Sequence, residues 1–542
     1  MDVNKIIEKM TVGEKVGQLC VPILQKGEIT EDLKEYVQRY NVGMIRFCPN
    51  AEFDNSSEVV GEPNRYRTPS EMAGFTNAIQ NMAKIPLFFA VDQEGGSRND
   101  INRGGAFAYG GHMEFGAADD TELTYKVAKA TGEEFAAMGI NMVQAPIVDV
   151  LTYDGRKTMK AATFGENTAK VSEHALAMMK GFKDGGIAPM AKHFPGYGSV
   201  ATDAHKGIAE IFKDFNSLDE EDIKPMKVLF ENGLAGVMTG HVITHCIDSE
   251  YPATVSKKVI TKYLRETLGF DGIVETDAMR MPAIQKLYGT GRACVLALEA
   301  GCDLVLLRGN MQHFKEGYEA VLNAVQKGEI SEKRLDESVR RMLKQKEAIG
   351  LFDKKTVCAE LADKIVGLRE HKELAKELAE KSVTVFRREN LPAPKETKIL
   401  SVFCEPQKIR AAMDSVQSID MLEQALKMNF ENVDEIIVKL SPDERDEKKV
   451  LCILENYDMI VFASCNAIIN EAQVKFLKKI AAKHDNVTVI AMESPFDLEI
   501  LEKTAGAIAT YGVSREAMNA VSDCICGKLK GLAKPPVALN IK

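Results

Sequence analysis

Residues 186–198 have the sequence GIAPMAKHFPGYG, and this stretch decides the fold. Its first six residues form a short apolar run, which predicts a buried strand of a parallel sheet. Lys192 and His193 stand at the end of that strand, and the glycines and proline after them predict a turn. Asp203 and His205 follow, two residues apart and therefore on the same side of an extended chain. There Asp203 can accept a hydrogen bond from one ring nitrogen and raise the basicity of the other.

The same stretch has a plainer interpretation, which is a glycine-rich turn followed by a surface contact between Asp203 and His205. Short motifs match by chance often enough that the stretch alone does not decide between the two interpretations. The organisation of the remaining chain has to decide.

Apolar runs alternate with segments of helical period, such as 122–138, 167–182 and 257–268, over the first part of the chain. Eight strands alternating with helices over about 300 residues predict a (β/α)8 TIM-type barrel. A doubly wound sheet is the competing fold, and the missing Gly-x-Gly-x-x-Gly turn disfavours it. The predicted strands are 16–24, 42–47, 87–91, 142–150, 188–193, 235–242, 272–276 and 302–307.

Polar residues stand at the ends of these predicted strands. The run DQEGG, residues 92–96, follows the third strand, and the next four strands end in Asp149, Lys192-His193, His241 and Asp277. Catalytic groups of such barrels lie at the carboxyl ends of the strands. We therefore expect these side chains to converge on one face, and their repeated placement is stronger evidence than any single motif.

The composition is that of a soluble globular protein, with 542 residues of which 45% are hydrophobic and 27% charged. The net charge of −10 predicts neither nucleic acid nor an anionic membrane as a partner. Eleven scattered cysteines without a Cys-x-x-Cys pair predict reduced thiols. No apolar run approaches the roughly 20 residues of a membrane span, and the first ten residues lack the apolar core of a signal peptide. We expect a cytoplasmic localisation.

A second alternating pattern follows the barrel and predicts a smaller α/β/α sandwich domain. Its strands are expected at 397–403, 435–440, 459–463, 487–491 and 507–510, with helices such as 471–483 between them. The predicted domains are 1–350 for the barrel, 351–375 for a linker and helix, and 376–542 for the sandwich.

Motifs along nearly the whole chain are similar to one enzyme family. The chain resembles glycoside hydrolase family 3, especially its β-N-acetylglucosaminidase branch. In the barrel the matching segments are MTVGEKVGQL (10–19), VDQEGG (91–96), KHFPG (192–196), DAH (203–205), VMTGHV (237–242) and TDAM (276–279). In the second domain they are SCNA (464–467), SPFDL (494–498) and TYG (510–512).

The resemblance implies a retaining exo-β-glycosidase, which would be a β-N-acetylhexosaminidase. Asp277 matches the nucleophile of the family, although an aspartate after a strand can also be a plain helix N-cap. His205 with Asp203 matches the acid/base dyad of this branch. The sugar-binding positions of the family are matched by Asp92, Lys192 and His193. The alternative is that these three residues only pack and form ion pairs at the end of the barrel. The implied partner is a small carbohydrate substrate, a β-linked amino-sugar glycoside or oligosaccharide, with no cofactor and no metal.

The sequence also departs from the family. The branch carries an arginine before a Ser-Phe-Gly segment, and here Ala162 occupies that position in KAATFG, residues 160–165. Tyr197 replaces a histidine in the Phe-Pro-Gly-His-Gly motif. Three arginines stand near strand ends where the family has apolar or small residues: Arg46, Arg280 and Arg308. We expect at least one of them to contact the sugar, with Arg280 first because it lies three residues after Asp277.

Other functions stay open at the level of the sequence. The same site can act as a glycoside phosphorylase, because a neutral imidazole base does not repel phosphate, or it can accept another β-sugar such as glucose. A metal-dependent barrel hydrolase would use His193, His205, His241 and His245, and Lys192 beside these ligands disfavours a cation. A sugar-binding protein without activity is disfavoured by the retained Asp277 and dyad. The sequence leaves the oligomeric state open.

Overall fold

The computed structural model describes residues 2–24, 28–47, 52–53, 59–60, 68–96, 98–99, 106–201, 207–405 and 421–541. These residues form two α/β units that are joined by a helical segment. Within this described part of the chain, no helix has the length and apolar character that a membrane crossing requires.

Eight parallel strands form the first unit and confirm the predicted (β/α)8 barrel. From β1 to β7 each strand pairs with the next along the chain, and the first strand pairs with the last through three residue pairs. The strands are β1 Cys20–Leu24, β2 Met44–Phe47, β3 Phe88–Val91, β4 Met142–Val143, β5 Ala188–Phe194, β6 Gly236–Thr239, β7 Ile273–Thr276 and β8 Val305–Leu307.

Helices surround this barrel. The α-helices are Val3–Glu8, Val12–Leu19, Glu31–Lys34, Pro69–Met82, His112–Ala118, Thr121–Ala137, Arg156–Met159, Thr168–Asp184, Phe215–Ser217, Lys224–Glu231, Pro282–Tyr288, Thr290–Ala300, Met311–Gln326 and Glu332–Ala348. Three further segments are π-helical: Glu35–Arg39, Leu218–Ile223 and Lys258–Thr267.

The predicted first strand began four residues too early, because residues 16–19 belong to the helix Val12–Leu19. A capping box starts this helix: the Thr11 hydroxyl accepts the Glu14 N–H at 3.2 Å, and the Glu14 carboxylate accepts the Thr11 N–H at 2.8 Å. The helix and β1 both bury apolar residues, so a short apolar run did not reveal where one ends and the other begins.

The barrel closes between β7 and β8, where Glu275 and Leu304 form an isolated parallel bridge. Asp303, two residues before β8, is fully buried and accepts the Val274 N–H at 3.0 Å. It also forms ion pairs with Arg265, Arg334 and Arg341 from the surrounding helices. We call Asp303 together with these three arginines and the adjoining bridge between β7 and Leu304 the seam. It lies at the amino end of β8, away from the ends that carry the predicted chemistry.

The second unit is a six-stranded sheet with the strand order β9-β14-β13-β12-β10-β11. Ile460 and Phe462 contribute to one hydrophobic core while Val461 and Ala463 contribute to another, so the sheet is buried on both faces. This confirms the predicted α/β/α sandwich. The strands are β9 Thr384–Arg388, β10 Lys398–Cys404, β11 Asn432–Val438, β12 Met459–Ser464, β13 Val487–Ala491 and β14 Gly506–Ala509.

Strand β9 was not predicted from the sequence. It is the antiparallel edge strand of a sheet that is otherwise parallel, and it carries Arg387 and Arg388 with partly exposed side chains. The α-helices of this part of the chain are Ala359–Ile365, Arg369–Ser382, Met421–Lys427, Glu444–Leu451, Glu471–Ala481, Asp497–Ile500 and Arg515–Ile525. The predicted boundaries between the domains stay predictions.

The sandwich rests on the barrel loops that follow β3 and β4. Arg156 donates to both carboxylate oxygens of Glu499 at 3.1 Å, and its guanidinium lies 4.7 Å from the centre of the Phe496 ring. Gly110 and Gly512 approach so closely that a Cβ on Gly512 would come within 2.2 Å of the Gly110 Cα. Only glycine fits at this contact, which brings the two units together beside the mouth of the barrel.

Candidate active site

A cluster of charged side chains lies where β2, β3 and β5 end. The Lys192 ammonium donates to Asp92 at 2.7 Å and to Glu94 at 2.6 Å, and Arg46 donates a second bond to Asp92. Burial opposes ionisation of Asp92, but the charges of Arg46 and Lys192 outweigh it and lower the pKa of this carboxyl. The two carboxylates likewise overcome burial and raise the pKa of Lys192. Asp92 is therefore an anion and Lys192 a cation, both fixed in place beside the barrel mouth.

His193, the next residue, is held by a different partner. Its Nδ1 lies 2.9 Å from the carboxylate of fully buried Asp149, which follows β4. Burial favours the neutral ring, but the charge and hydrogen bond of Asp149 prevail and raise the pKa of His193. Consequently Nδ1 carries a proton, and the ring orientation is fixed by Asp149.

Asp277 directly follows β7 and is half-buried at the same end of the barrel. Its Oδ1 accepts the N–H of Ala278 at 2.6 Å, and its charge contributes to the raised pKa of His193. His241, after β6, donates from Nε2 to the Ala278 carbonyl at 3.1 Å while Nδ1 lies 2.8 Å from the hydroxyl of Thr254. His241 therefore holds the turn that carries Asp277.

Glu275 lies two residues before Asp277 on β7 and is fully buried. It accepts a hydrogen bond from Gln144 at 2.8 Å, and burial raises its pKa to about 8. A carboxyl with that pKa is mostly protonated at neutral pH. Beneath the charged cluster, the barrel thus holds an acid that carries little charge.

A neutral imidazole shapes the loop after β3. His112 is fully buried, and burial lowers its pKa to about 4. Its Nε2 accepts the N–H of Ile147 at 3.2 Å, so Nδ1 carries the proton and donates to the Glu94 carbonyl at 2.9 Å. His112 therefore fixes the backbone of Glu94, whose side chain holds Lys192.

Asp203 and His205 lie outside the described residues, so the predicted dyad stays a prediction. The described chain leads up to them at Ala201 and continues from Gly207.

Three of the four histidines named for a metal site, all except His205, are among the described residues, and each contacts a different partner. His193 contacts Asp149, His241 contacts Thr254, and His245 contacts Glu210 and stacks on Phe212. Among the described residues, no group of three His, Cys, Asp or Glu side chains is placed to hold a metal ion.

Two of the three unusual arginines, Arg46 and Arg280, have different surroundings. Arg46 is buried and bonds to Asp92, so it belongs to the charged cluster. Arg280 is also buried, and its Nη1 would lie 3.0 Å from a Cβ on Gly309, beyond the end of β8. Arg46 thus lies beside the predicted sugar-binding residues Asp92 and Lys192, and the contact of Arg280 with the sugar stays a prediction. Tyr197 lies 5.5 Å, ring to ring, from His193.

Comparison with known proteins identifies the family. The model for the N-terminal domain of glycosyl hydrolase family 3 matches residues 11–345. The chain belongs to glycosyl hydrolase family 3. A solved structure of a family 3 β-N-acetylglucosaminidase from Paenibacillus sp. str. FPU-7 is 30% identical and has a TM-score of 0.89. The match covers 98% of this chain and 100% of that one.

Two curated relatives of this family 3 chain are longer than it is. Beta-hexosaminidase A of Pseudoalteromonas piscicida is 28% identical over 337 residues, which are 58% of this chain and 55% of that protein. A probable beta-glucosidase C of Aspergillus oryzae is 31% identical over 398 residues, covering 67% of this chain and 60% of the relative. The chain therefore spans a little over half the length of these two relatives.

Proposed function

We propose that this chain is a retaining β-glycosidase that acts on β-N-acetylhexosaminides. The observation that carries the proposal is the anion–cation cluster of Asp92, Lys192 and Arg46 at the same barrel end as Asp277. Paired charges of this kind can donate to and accept from the hydroxyls of one sugar ring. The likeness over the whole chain to a family 3 β-N-acetylglucosaminidase supports the choice of sugar.

In this proposal Asp277 attacks the anomeric carbon and forms a covalent glycosyl-enzyme while the bond to the leaving oxygen breaks. Protonated His205 gives its proton to that oxygen, and Asp203 orients the ring. Water then attacks the glycosyl-enzyme, neutral His205 takes the proton from the water, and Asp277 is released as a carboxylate. Asp92, Lys192 and His193 hold the ring hydroxyls. The comparisons do not favour the phosphorylase alternative over hydrolysis.

The proposal is tested with a panel of chromogenic β-glycosides, measured with and without phosphate. We expect the highest kcat/KM on the N-acetylglucosaminide and no acceleration by phosphate. A clear preference for the glucoside, or a rate that requires phosphate, would reject the proposed substrate or the proposed hydrolysis, respectively.

Replacement of His205 should expose its role as the acid. We expect His205→Ala to slow the hydrolysis of glycosides with poor leaving groups by roughly 100-fold or more, because general acid catalysis typically contributes that much. Glycosides of acidic phenols need little protonation of the leaving oxygen, so the variant should hydrolyse them with a far smaller loss of rate. Asp203→Asn should show the same pattern in milder form, and His245→Ala serves as the control. Equal losses across the series of leaving groups would show that His205 has another role.

The unusual arginines Arg46, Arg280 and Arg308 provide a second test of the sugar site. Arg46→Ala removes a cationic partner of Asp92, and loss of such a charged hydrogen bond costs about 1.5–3 kcal/mol. We expect kcat/KM on the best substrate to fall roughly tenfold or more, and Arg280→Ala to cause a severalfold loss. The exposed Arg369 provides the control variant, Arg369→Ala. The idea that one of these arginines contacts the sugar would be rejected if all three single variants kept wild-type kinetics: Arg46→Ala, Arg280→Ala and Arg308→Ala. The three side chains would then serve only in structural ion pairs.

A further inference from the structure

The segment of residues 535–541 returns from the second domain to the barrel. It contains neither helix nor strand, yet its backbone is bonded to a barrel residue. The Glu166 N–H donates to the Pro536 carbonyl at 3.2 Å, and the Glu166 carboxylate accepts the Ala538 N–H at 2.9 Å. We call residues 535–541 the strap. Because these backbone groups find their partners on the barrel rather than within the segment, tertiary contacts determine the path of the strap.

A second set of hydrogen bonds fixes the strap to an ion pair that joins the two domains. Arg156 of the barrel, which pairs with Glu499 of the second domain, also donates to the Ala538 carbonyl at 2.6 Å. Glu499 in turn accepts the Asn540 N–H at 2.7 Å. The strap is therefore held by both partners of this ion pair. Hydrogen bonds to charged groups are stronger than those between neutral groups, so this attachment is a firm one.

Close packing adds to these hydrogen bonds. Val537, in the middle of the strap, is only 3% exposed and belongs to the hydrophobic core that includes the barrel. Gly165 lies against Pro536, where a Cβ would come within 2.4 Å of the Pro536 carbonyl oxygen. The φ angle of Gly165 is +143°, which a residue with a side chain rarely adopts. Both residues thus suit a strap that stays in contact with the barrel.

Gly165 connects the strap to the beginning of the loop after β4, residues 149–166. Its carbonyl accepts the Leu151 N–H at 3.0 Å. The next residue, Thr152, donates its N–H to the Gly198 carbonyl at 3.0 Å. The loop after β4 is therefore bonded on one side to the residue that contacts the strap and on the other side to the turn after β5.

The same loop begins with Asp149, whose carboxylate holds both the ring and the backbone of His193. The Nδ1 atom of His193 lies 2.9 Å from one oxygen of Asp149, and the His193 N–H donates to the same oxygen at 3.3 Å. Protein interiors are close-packed and transmit small displacements. A shift of the loop after β4 would therefore move Asp149 relative to His193.

We propose that the strap is a positioning element by which the second domain holds the loop after β4, and thereby Asp149 and His193, in place for sugar binding. The inference rests on the proposed function, in which His193 holds hydroxyls of the sugar ring. It gives an irregular segment of the second domain a role in the activity of the barrel.

The test combines amide hydrogen exchange with kinetics in a variant whose strap cannot pack. Val537→Asp places a charge at the buried position of the strap, and Leu532→Asp, where the residue is 74% exposed, is the matched control. We expect the amides of Leu151, Thr152 and His193 to exchange roughly tenfold faster in Val537→Asp, because loss of packing favours local opening. The kcat/KM on the best aryl glycoside should fall roughly tenfold, since a small misplacement of a substrate-binding group is costly. Leu532→Asp should keep the wild-type values of both.

Two variants of Glu166 test the same contact without a buried charge, so the test does not depend on whether Val537→Asp folds. Glu166 is exposed, and Glu166→Ala removes the acceptor of the Ala538 N–H. We expect a severalfold loss of kcat/KM in this variant and faster exchange of the same amides. Glu166→Gln retains a side-chain oxygen that can accept the N–H and should keep nearly wild-type kinetics.

The outcomes separate the strap from the proposed function. Unchanged exchange of the Leu151 and Thr152 amides in Val537→Asp and Glu166→Ala would reject the strap as a positioning element. A lower midpoint of thermal unfolding with unchanged kcat/KM in the folded variants would show a structural role only, which also rejects it. If the wild type hydrolyses no β-glycoside, the proposed function fails, and the exchange of the His193 amide alone then decides whether the strap holds this residue in place.

Discussion

Asp277→Ala is expected to reduce kcat/KM on the best aryl glycoside by roughly a thousandfold or more, because loss of a nucleophile removes the covalent route. The fold should persist, since the side chain is half-buried at a strand end and contributes little to the core. Azide should restore turnover of an activated aryl glycoside in this variant by taking the place of the missing carboxylate. The product should then be the glycosyl azide of inverted anomeric configuration.

Asp154→Ala is the control for this experiment, because Asp154 is an exposed aspartate in the loop after β4. In the wild type, an activated fluorosugar should label Asp277 covalently, which mass spectrometry of peptides can locate. A label on another residue, or substantial activity in Asp277→Ala without azide, would overturn the assignment of the nucleophile.

The largest effect on stability is expected at the seam. Asp303→Ala removes the fully buried carboxylate that pairs with Arg265, Arg334 and Arg341. These three partly buried guanidiniums lose this common anion, although Arg341 keeps its ion pair with Asp271. Breaking a buried ion pair in this way typically costs about 3–5 kcal/mol. We expect a clearly lower midpoint of thermal unfolding for the barrel, measured by calorimetry at neutral pH.

The pKa of Asp303 determines how the stability difference between wild type and Asp303→Ala changes with pH. Burial opposes ionisation of Asp303, but the three guanidiniums outweigh it and lower its pKa below the unfolded value of about 3.9. The stabilisation is therefore complete above that unfolded value and is lost as the pH falls through the folded pKa. The difference between wild type and Asp303→Ala should shrink in acid. Asp271→Ala is the control, since Asp271 is exposed and pairs with the same Arg341. Similar midpoints for the two variants would contradict the role of the seam.

The sequence predicted the barrel well because its strands are buried on both sides and read as separate apolar runs. It located β5 to within one residue, since Lys192 and the glycines after it interrupt the run sharply. It failed at β9, whose side chains are partly exposed at the edge of a sheet. An edge strand lacks the continuous apolar pattern of a central one, and two arginines conceal it further.

The placement of Asp92, Lys192 and Asp277 at the ends of strands was predictable from the sequence. The partners that fix their charge were not. Glu94 was seen only as part of a polar run, because which of its neighbours faces Lys192 depends on the loop after β3. Glu275 lies on β7 two residues before Asp277, and this spacing of two was the available signal for a second carboxyl on the same side of the chain.

The seam also sets an order of events during synthesis of the chain. β1 ends at Leu24 and β8 begins at Val305, and these two strands pair in the finished barrel. At about 5–20 residues per second, the ribosome needs on the order of 15–60 s to make the chain between them. Throughout that interval the outer edge of β1 has no partner strand, because β8 has not yet been made. Arg341, a partner of Asp303, follows later still. A nascent chain that stalls before Asp303 therefore exposes two strand edges to pairing with other chains, and folding chaperones would have to shield them until the barrel closes.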